Sequence, residues 1–124
     1  MPDGMPYVAF LDAVIDDGLD EVRRTYLRPD QALKREGAID GLNACRGLAA
    51  EALLVLRDAA AADVDRHRRE RDPRYWYWRL REAQIEWVLN VVNAASYANG
   101  LPMNFPPTAQ GMRKAIDVLG LSAA

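Results

Sequence analysis

Four carboxylates fall within six residues near the start of the chain, in the run Asp16-Asp17-Gly18-Leu19-Asp20-Glu21. On a helix, positions three and four apart are neighbours, so Asp16, Asp17, Asp20 and Glu21 would share one arc. Clustered oxygen ligands suit a hard cation such as Mg²⁺ or Mn²⁺, and a cation held there would orient a phosphoryl group for hydrolysis. Glu82 and Glu86 could supply the other half of such a site. The chemistry implied is a divalent-metal-dependent hydrolase acting on a nucleotide or another phosphorylated small molecule, with Asp16, Asp17, Asp20, Glu82 and Glu86 as ligands.

Helical Mg²⁺-dependent nucleotide pyrophosphohydrolases arrange paired glutamates to this end. Here the first set is rich in aspartate, and Glu82-x-x-x-Glu86 lacks the spacing of that family's second motif. No family is recognised on these residues. The plainer reading takes precedence: the acids lie opposite an apolar stripe and form the solvated face of an amphipathic helix.

A second chemistry resides in residues 66–81. Seven arginines minus two acids give this segment +5, so the rest of a chain of net −2 carries −7. Tyr75, Trp76, Tyr77 and Trp78 are interleaved, and arginine beside stacking aromatics is one way single-stranded nucleic acid is held. Arg68, Arg69 and Tyr75 would make those contacts. An isoelectric point near 5.4 gives no overall attraction to phosphate, and the acidic first helix is a ready internal partner for the arginines. Nucleic-acid binding therefore ranks third.

Other chemistries are excluded or weak. One histidine, His67, and one cysteine, Cys45, cannot build an ordinary zinc site or a histidine-rich di-iron site. His67 stands among arginines at the polar end of a helix, a poor setting for a catalytic base. No glycine-rich phosphate loop or serine nucleophile motif is present. Cys45 falls on an apolar stripe as a small buried hydrophobe, and a lone cysteine excludes an internal disulfide, as in a reducing compartment. No run approaches 18 apolar residues, and Met1-Pro2-Asp3-Gly4 lacks the basic start of a signal peptide. A cytoplasmic protein without membrane contact is expected. The excess of arginine over lysine is what a GC-rich bacterial genome produces.

The elements that would carry these residues are helices. Leu11, Val14, Ile15, Leu19, Val22 and Tyr26 repeat at helical spacing, with Gly18 in the stripe permitting close approach of a neighbour. Arg23 and Arg24 complement the dipole at the C-terminal end. Pro29 ends this helix and Asp30 caps the next. Ala38, Leu42, Cys45, Ala49, Ala52, Leu53, Leu56, Ala60 and Val64 keep one phase through Gly41 and Gly47, as one kinked helix or two helices would. We favour a break at Gly47, because an uninterrupted helix from 30 to 71 would run about 60 Å at about 1.5 Å per residue. Asp72-Pro73 starts the next helix, Asn99-Gly100 closes it, and Leu101–Pro107 is an irregular connection. Thr108 caps a final helix that buries Met112, Ala115, Ile116 and Leu119 and stops at Gly120.

The helix at about 73–98 is the central element. Arg79, Glu82, Glu86, Asn90, Asn93 and Tyr97 form one narrow polar stripe, and almost everything else on it is apolar or aromatic. A helix so apolar must be covered on several sides. With few other helices to hand, the row Trp78, Ile85, Leu89 and Val92 is expected to pack against a second copy of the chain. The expected fold is all-α, an irregular bundle of four to five helices around this central helix, with residues 1–124 a single domain. The leading functional expectation is a helical binding protein, without a cofactor, that acts as a homodimer and engages a further protein partner. The Mg²⁺ or Mn²⁺ enzyme is the alternative.

Overall fold

The computed structural model describes residues 6–98 and 108–119. Five helices and one short 3₁₀ turn are present, with no strand among the described residues: α1 Tyr7–Thr25, the turn Pro29–Gln31, α2 Ala32–Ala44, α3 Ala50–Arg69, α4 Tyr75–Ala98 and α5 Ala109–Leu119. The all-α bundle expected from the periodicity is the fold observed. Asn99-Gly100, the connection Leu101–Pro107, the stop at Gly120 and the side chains of Tyr97 and Leu119 lie outside the described residues.

Local signals account for most boundaries. The phase-preserving stretch does break at Gly47, whose φ of +72° falls in the left-handed region that glycine enters without a Cβ clash. No side chain caps the N-terminus of α3, which follows Ala49. Asp72 accepts the Arg74 backbone N–H at 2.7 Å and its carbonyl accepts from Tyr75 at 3.0 Å, so it does organise the start of α4. Thr108 Oγ1 accepts the Gly111 N–H at 3.0 Å, the expected cap of α5. Asp30 departs from expectation. It sits inside the 3₁₀ turn and pairs with Arg28 at 3.2 Å, and α2 begins after Gln31 without a side-chain cap.

The α3–α4 connection closes by hydrogen bonds from Asp72 N–H to His67 O and from Arg71 N–H to Arg68 O. That pair is the Schellman pattern, which satisfies the last carbonyls of a helix. Arg71 occupies the left-handed position, φ 51°, where glycine is usual. This short reversal sets α3 antiparallel to α4.

The helix α4 is central, packed most extensively by α2 and α3, then by α5 and α1. The contact with α2 is made by backbone. A Cβ on Gly37 would stand far inside contact distance of the Tyr77 carbonyl, and one on Gly41 would lie 2.5 Å from the Arg81 oxygen. Two glycines four residues apart thus clear a groove on α2 into which α4 settles. A shared core, including Phe10, Leu11, Ile15, Leu42, Leu53, Ile85 and Leu89, fills the space between the helices.

Candidate binding cleft

Between α1, α4 and α5 lies a cleft of about 560 Å³, within the size range of small-molecule sites. Its shape begins with Gly18. A Cβ there would meet Leu42 at 2.9 Å and the Trp87 ring at 3.0 Å, so the bare backbone lets the indole lie against α1. Trp87, Val22, Tyr26 and Ala83 supply apolar and aromatic surface, while Asp17, Glu21, Thr25, Gln84, Gln110 and Lys114 supply the polar lining. A second hollow of about 330 Å³ adjoins at Tyr26, along the α1–α2 connection and α2.

The charges of the cleft are arranged asymmetrically. Lys114 Nζ on α5 donates to Asp17 Oδ2 on α1 at 2.5 Å and lies 3.7 Å from Asp117. The hydrogen bond to Asp17 raises the Lys114 pKa, which keeps the ammonium charged. Glu21 sits one turn beyond Asp17, its Oε2 accepting from Arg24 at 3.0 Å, and the Thr25 hydroxyl donates to the Glu21 carbonyl at 2.8 Å.

The carboxylates expected to act as metal ligands do not converge. Asp16 points to Arg46, which also reaches Asp12 at 3.3 Å. Asp17 takes Lys114, and Asp20 takes Arg23 at 3.5 Å. Glu82 pairs with Arg79 at 2.9 Å, and Glu86 is exposed. The face that α4 turns to the cleft carries Ala83, Gln84 and Trp87 rather than Glu82 and Glu86. Among the described residues no group of three His, Cys, Asp or Glu side chains is disposed to hold a metal ion. The physical reason is the spread of the α1 acids, each drawn to a different basic group.

The arginine-rich segment is also partnered, though not as expected. Its acids come from α3, α2 and α4 itself rather than from α1: Arg66 and Arg81 share Asp63 at 3.3 and 3.7 Å, Arg68 meets Asp65 at 3.8 Å, Arg74 meets Glu36 at 3.8 Å, and Arg79 takes Glu82. Arg69 is exposed in the last turn of α3, and Tyr75 is half-buried, edge-on to Trp76. Tyr77 donates to Asp40 at 2.5 Å, and burial with that hydrogen bond pushes its phenol up to about 12. Trp76 alone of this aromatic run is strongly exposed, at 50%, with Lys34 4.5 Å above its ring. The run is therefore used as packing and does not form a continuous stacking platform.

The row assigned to a second copy is already covered. Ile85, Leu89 and Val92 are 0–2% exposed within the single chain. Trp78, at the head of the row and half-buried, stacks on His67 of α3 at 4.2 Å between centroids. With Trp78 against α3 and the other three buried in the chain's own core, Trp78, Ile85, Leu89 and Val92 form no continuous open surface for a partner.

His67 does stand among arginines in the last turn of α3, but its side chain is buried there, with Nδ1 2.6 Å from the Asp63 carbonyl and Nε2 3.5 Å from Asp72. Cys45 is buried, as its position on the stripe implies, and burial pushes its thiol up to about 12. The cleft itself left one trace in the sequence, the Gly18 gap in an apolar stripe facing an aromatic-rich helix.

No helix among the described residues is long and apolar enough to cross a membrane. Comparison with family models, with curated proteins and with solved structures finds no match to this chain, so the cleft and its chemistry carry the functional reading.

Proposed function

We propose that this protein works by binding, and that the α1–α4–α5 cleft is its ligand site. The observation that carries the reading is the cleft's composition: Trp87 and Tyr26 form an aromatic wall beside converging polar groups from three helices. Concave, mixed surfaces of this size are where small ligands bind. Lys114 supports binding over proton transfer. A lysine that acts as base or nucleophile needs a lowered pKa, and this one is held charged by Asp17. Fragment screening by ¹H–¹⁵N NMR tests the reading. Hits should shift the Gly18 amide and the Trp87 indole N–H together; hits that leave both unmoved would remove the site.

Association with a protein partner or a second copy is a second reading, moved from the covered row to Trp76. A half-exposed indole beside a lysine is a common interface anchor. Sedimentation velocity at micromolar concentration checks it: self-association abolished by Trp76→Ser would support a homodimer, and a wild-type monomer would remove the homodimer.

A further inference from the structure

We propose that the ligand of the α1–α4–α5 cleft is a small organic cation, an aromatic or aliphatic body carrying an ammonium or guanidinium group; this rests on the reading of the cleft as a ligand site. Asp17 and Glu21 stand four residues apart on one face of α1, and both line the cleft with Trp87 and Lys114. With their partners counted, Asp17, Glu21 and Asp117 set three carboxylates against Lys114 and Arg24, an excess of one negative charge.

Their present partners account for only half of each carboxylate. Asp17 gives Oδ2 to Lys114, and Glu21 gives Oε2 to Arg24 at the exposed rim. The other oxygens remain as acceptors on adjacent turns. Neighbouring carboxylates at this spacing repel one another, and a cation between them relieves that repulsion. The indole of Trp87 and the phenol ring of Tyr26 add aromatic faces that attract a cation and accept a flat apolar body.

An anion is disfavoured by the same geometry. At Lys114 it would share the ammonium with Asp17 at 2.5 Å and Asp117 at 3.7 Å and lie close to Glu21, so it would meet three carboxylates. A neutral ligand would gain the aromatic wall and leave the charge excess uncompensated. Gln84 and Gln110 can meet either donors or acceptors on the ligand body, so they do not alter the preference.

Three probes of matched shape test this: 2-phenylethylamine, 2-phenylethanol and phenylacetate, titrated into the full chain at about 0.15 M salt. The Gly18 amide and Trp87 indole resonances serve as the readout. The amine should bind at least about tenfold more tightly than the alcohol, and the acid more weakly still. Glu21→Gln, a change at the exposed rim, should remove most of the amine's advantage over the alcohol. Equal binding of amine and alcohol, or tighter binding of phenylacetate, would overturn the cation preference while the cleft remains a ligand site. If none of the probes, nor any fragment, shifts the two reporters, both readings fail. Where Glu21→Gln alters the circular dichroism spectrum, the wild-type chain decides by its salt dependence. Amine binding must then weaken between about 0.05 and 0.5 M salt, and salt-independent binding would overturn the preference.

Discussion

The imidazole of His67 lies flat on the indole of Trp78, 4.2 Å between centroids and 18° from parallel. One residue closes α3 and the other opens α4, so the stack clasps the two helices beside the turn that reverses the chain. His67 adds a hydrogen bond from Nδ1–H to the Asp63 carbonyl, and Nε2 faces Asp72, the residue that starts α4. A side chain that the sequence places among arginines is thereby withdrawn from solvent to join two elements.

His67→Ala should destabilise the protein by about 2 kcal/mol, the combined loss of a ring stack and a hydrogen bond. His67→Phe keeps the stack and should cost less. Urea denaturation compares the two; a loss below about 0.5 kcal/mol in the alanine variant would mean the clasp is not a stability element.

At the α2–α4 contact, Gly37→Ala and Gly41→Ala should each cost about 2–3 kcal/mol, since the new methyl meets backbone that cannot rotate away. Gly47→Ala should cost about 1 kcal/mol for a different reason. A Cβ there meets nothing, but the φ of +72° disfavours any side chain. In thermal melts the two α2 variants should fall below Gly47→Ala.

Arg71→Gly should stabilise the fold by about 0.5–1 kcal/mol, because the left-handed position of the Schellman turn is one that glycine adopts without steric cost. A lowered melting temperature would show that the arginine side chain contributes more than its backbone strain removes.

Stability should fall on the alkaline side of neutrality. Cys45 is shifted from 9.0 to about 12, and Tyr7 and Tyr77 from 10.0 to about 12, all by burial first. Groups with raised folded values hold protons that the unfolded chain releases. Their stabilisation is complete below the unfolded values and is lost as pH rises from about 9 through about 12. Urea midpoints measured at pH about 8, 10 and 11 should decline in wild type and decline less in Cys45→Ala and Tyr77→Phe. A flat profile would contradict the burial of these groups.

Leu89→Glu places a carboxylate where the wild-type side chain is 2% exposed. The expected outcome is loss of the 222 nm signal, at a cost of about 3–5 kcal/mol for an unpaired buried charge. A folded variant of full helicity would mean that this row is open after all.

Much of the fold follows from local rules legible in the chain. The stripe from Leu11 to Val22 is buried as its spacing requires, Asp72 and Thr108 organise helix starts, and the phase-preserving stretch breaks at Gly47. These are properties of a helix and its ends, governed by side-chain periodicity and by the unsatisfied N–H groups of the first turn. Periodicity also identified the helix that must be covered on several sides.

Which neighbour covers which side was decided only in three dimensions. The row Trp78, Ile85, Leu89 and Val92 is apolar whether another helix or a second copy lies upon it; the His67 stack takes Trp78, and the chain's own core buries the other three. Gly37 and Gly41 set how closely α2 approaches α4, and that close approach depends on the shape of both helices. The same holds for charge. On the helix surface Asp16, Asp17, Asp20 and Glu21 are one acidic arc, but Arg46 and Lys114 arrive from distant points of the chain and divide it. A helical pattern specifies the direction in which a side chain points, and the packing of whole helices determines what it meets there.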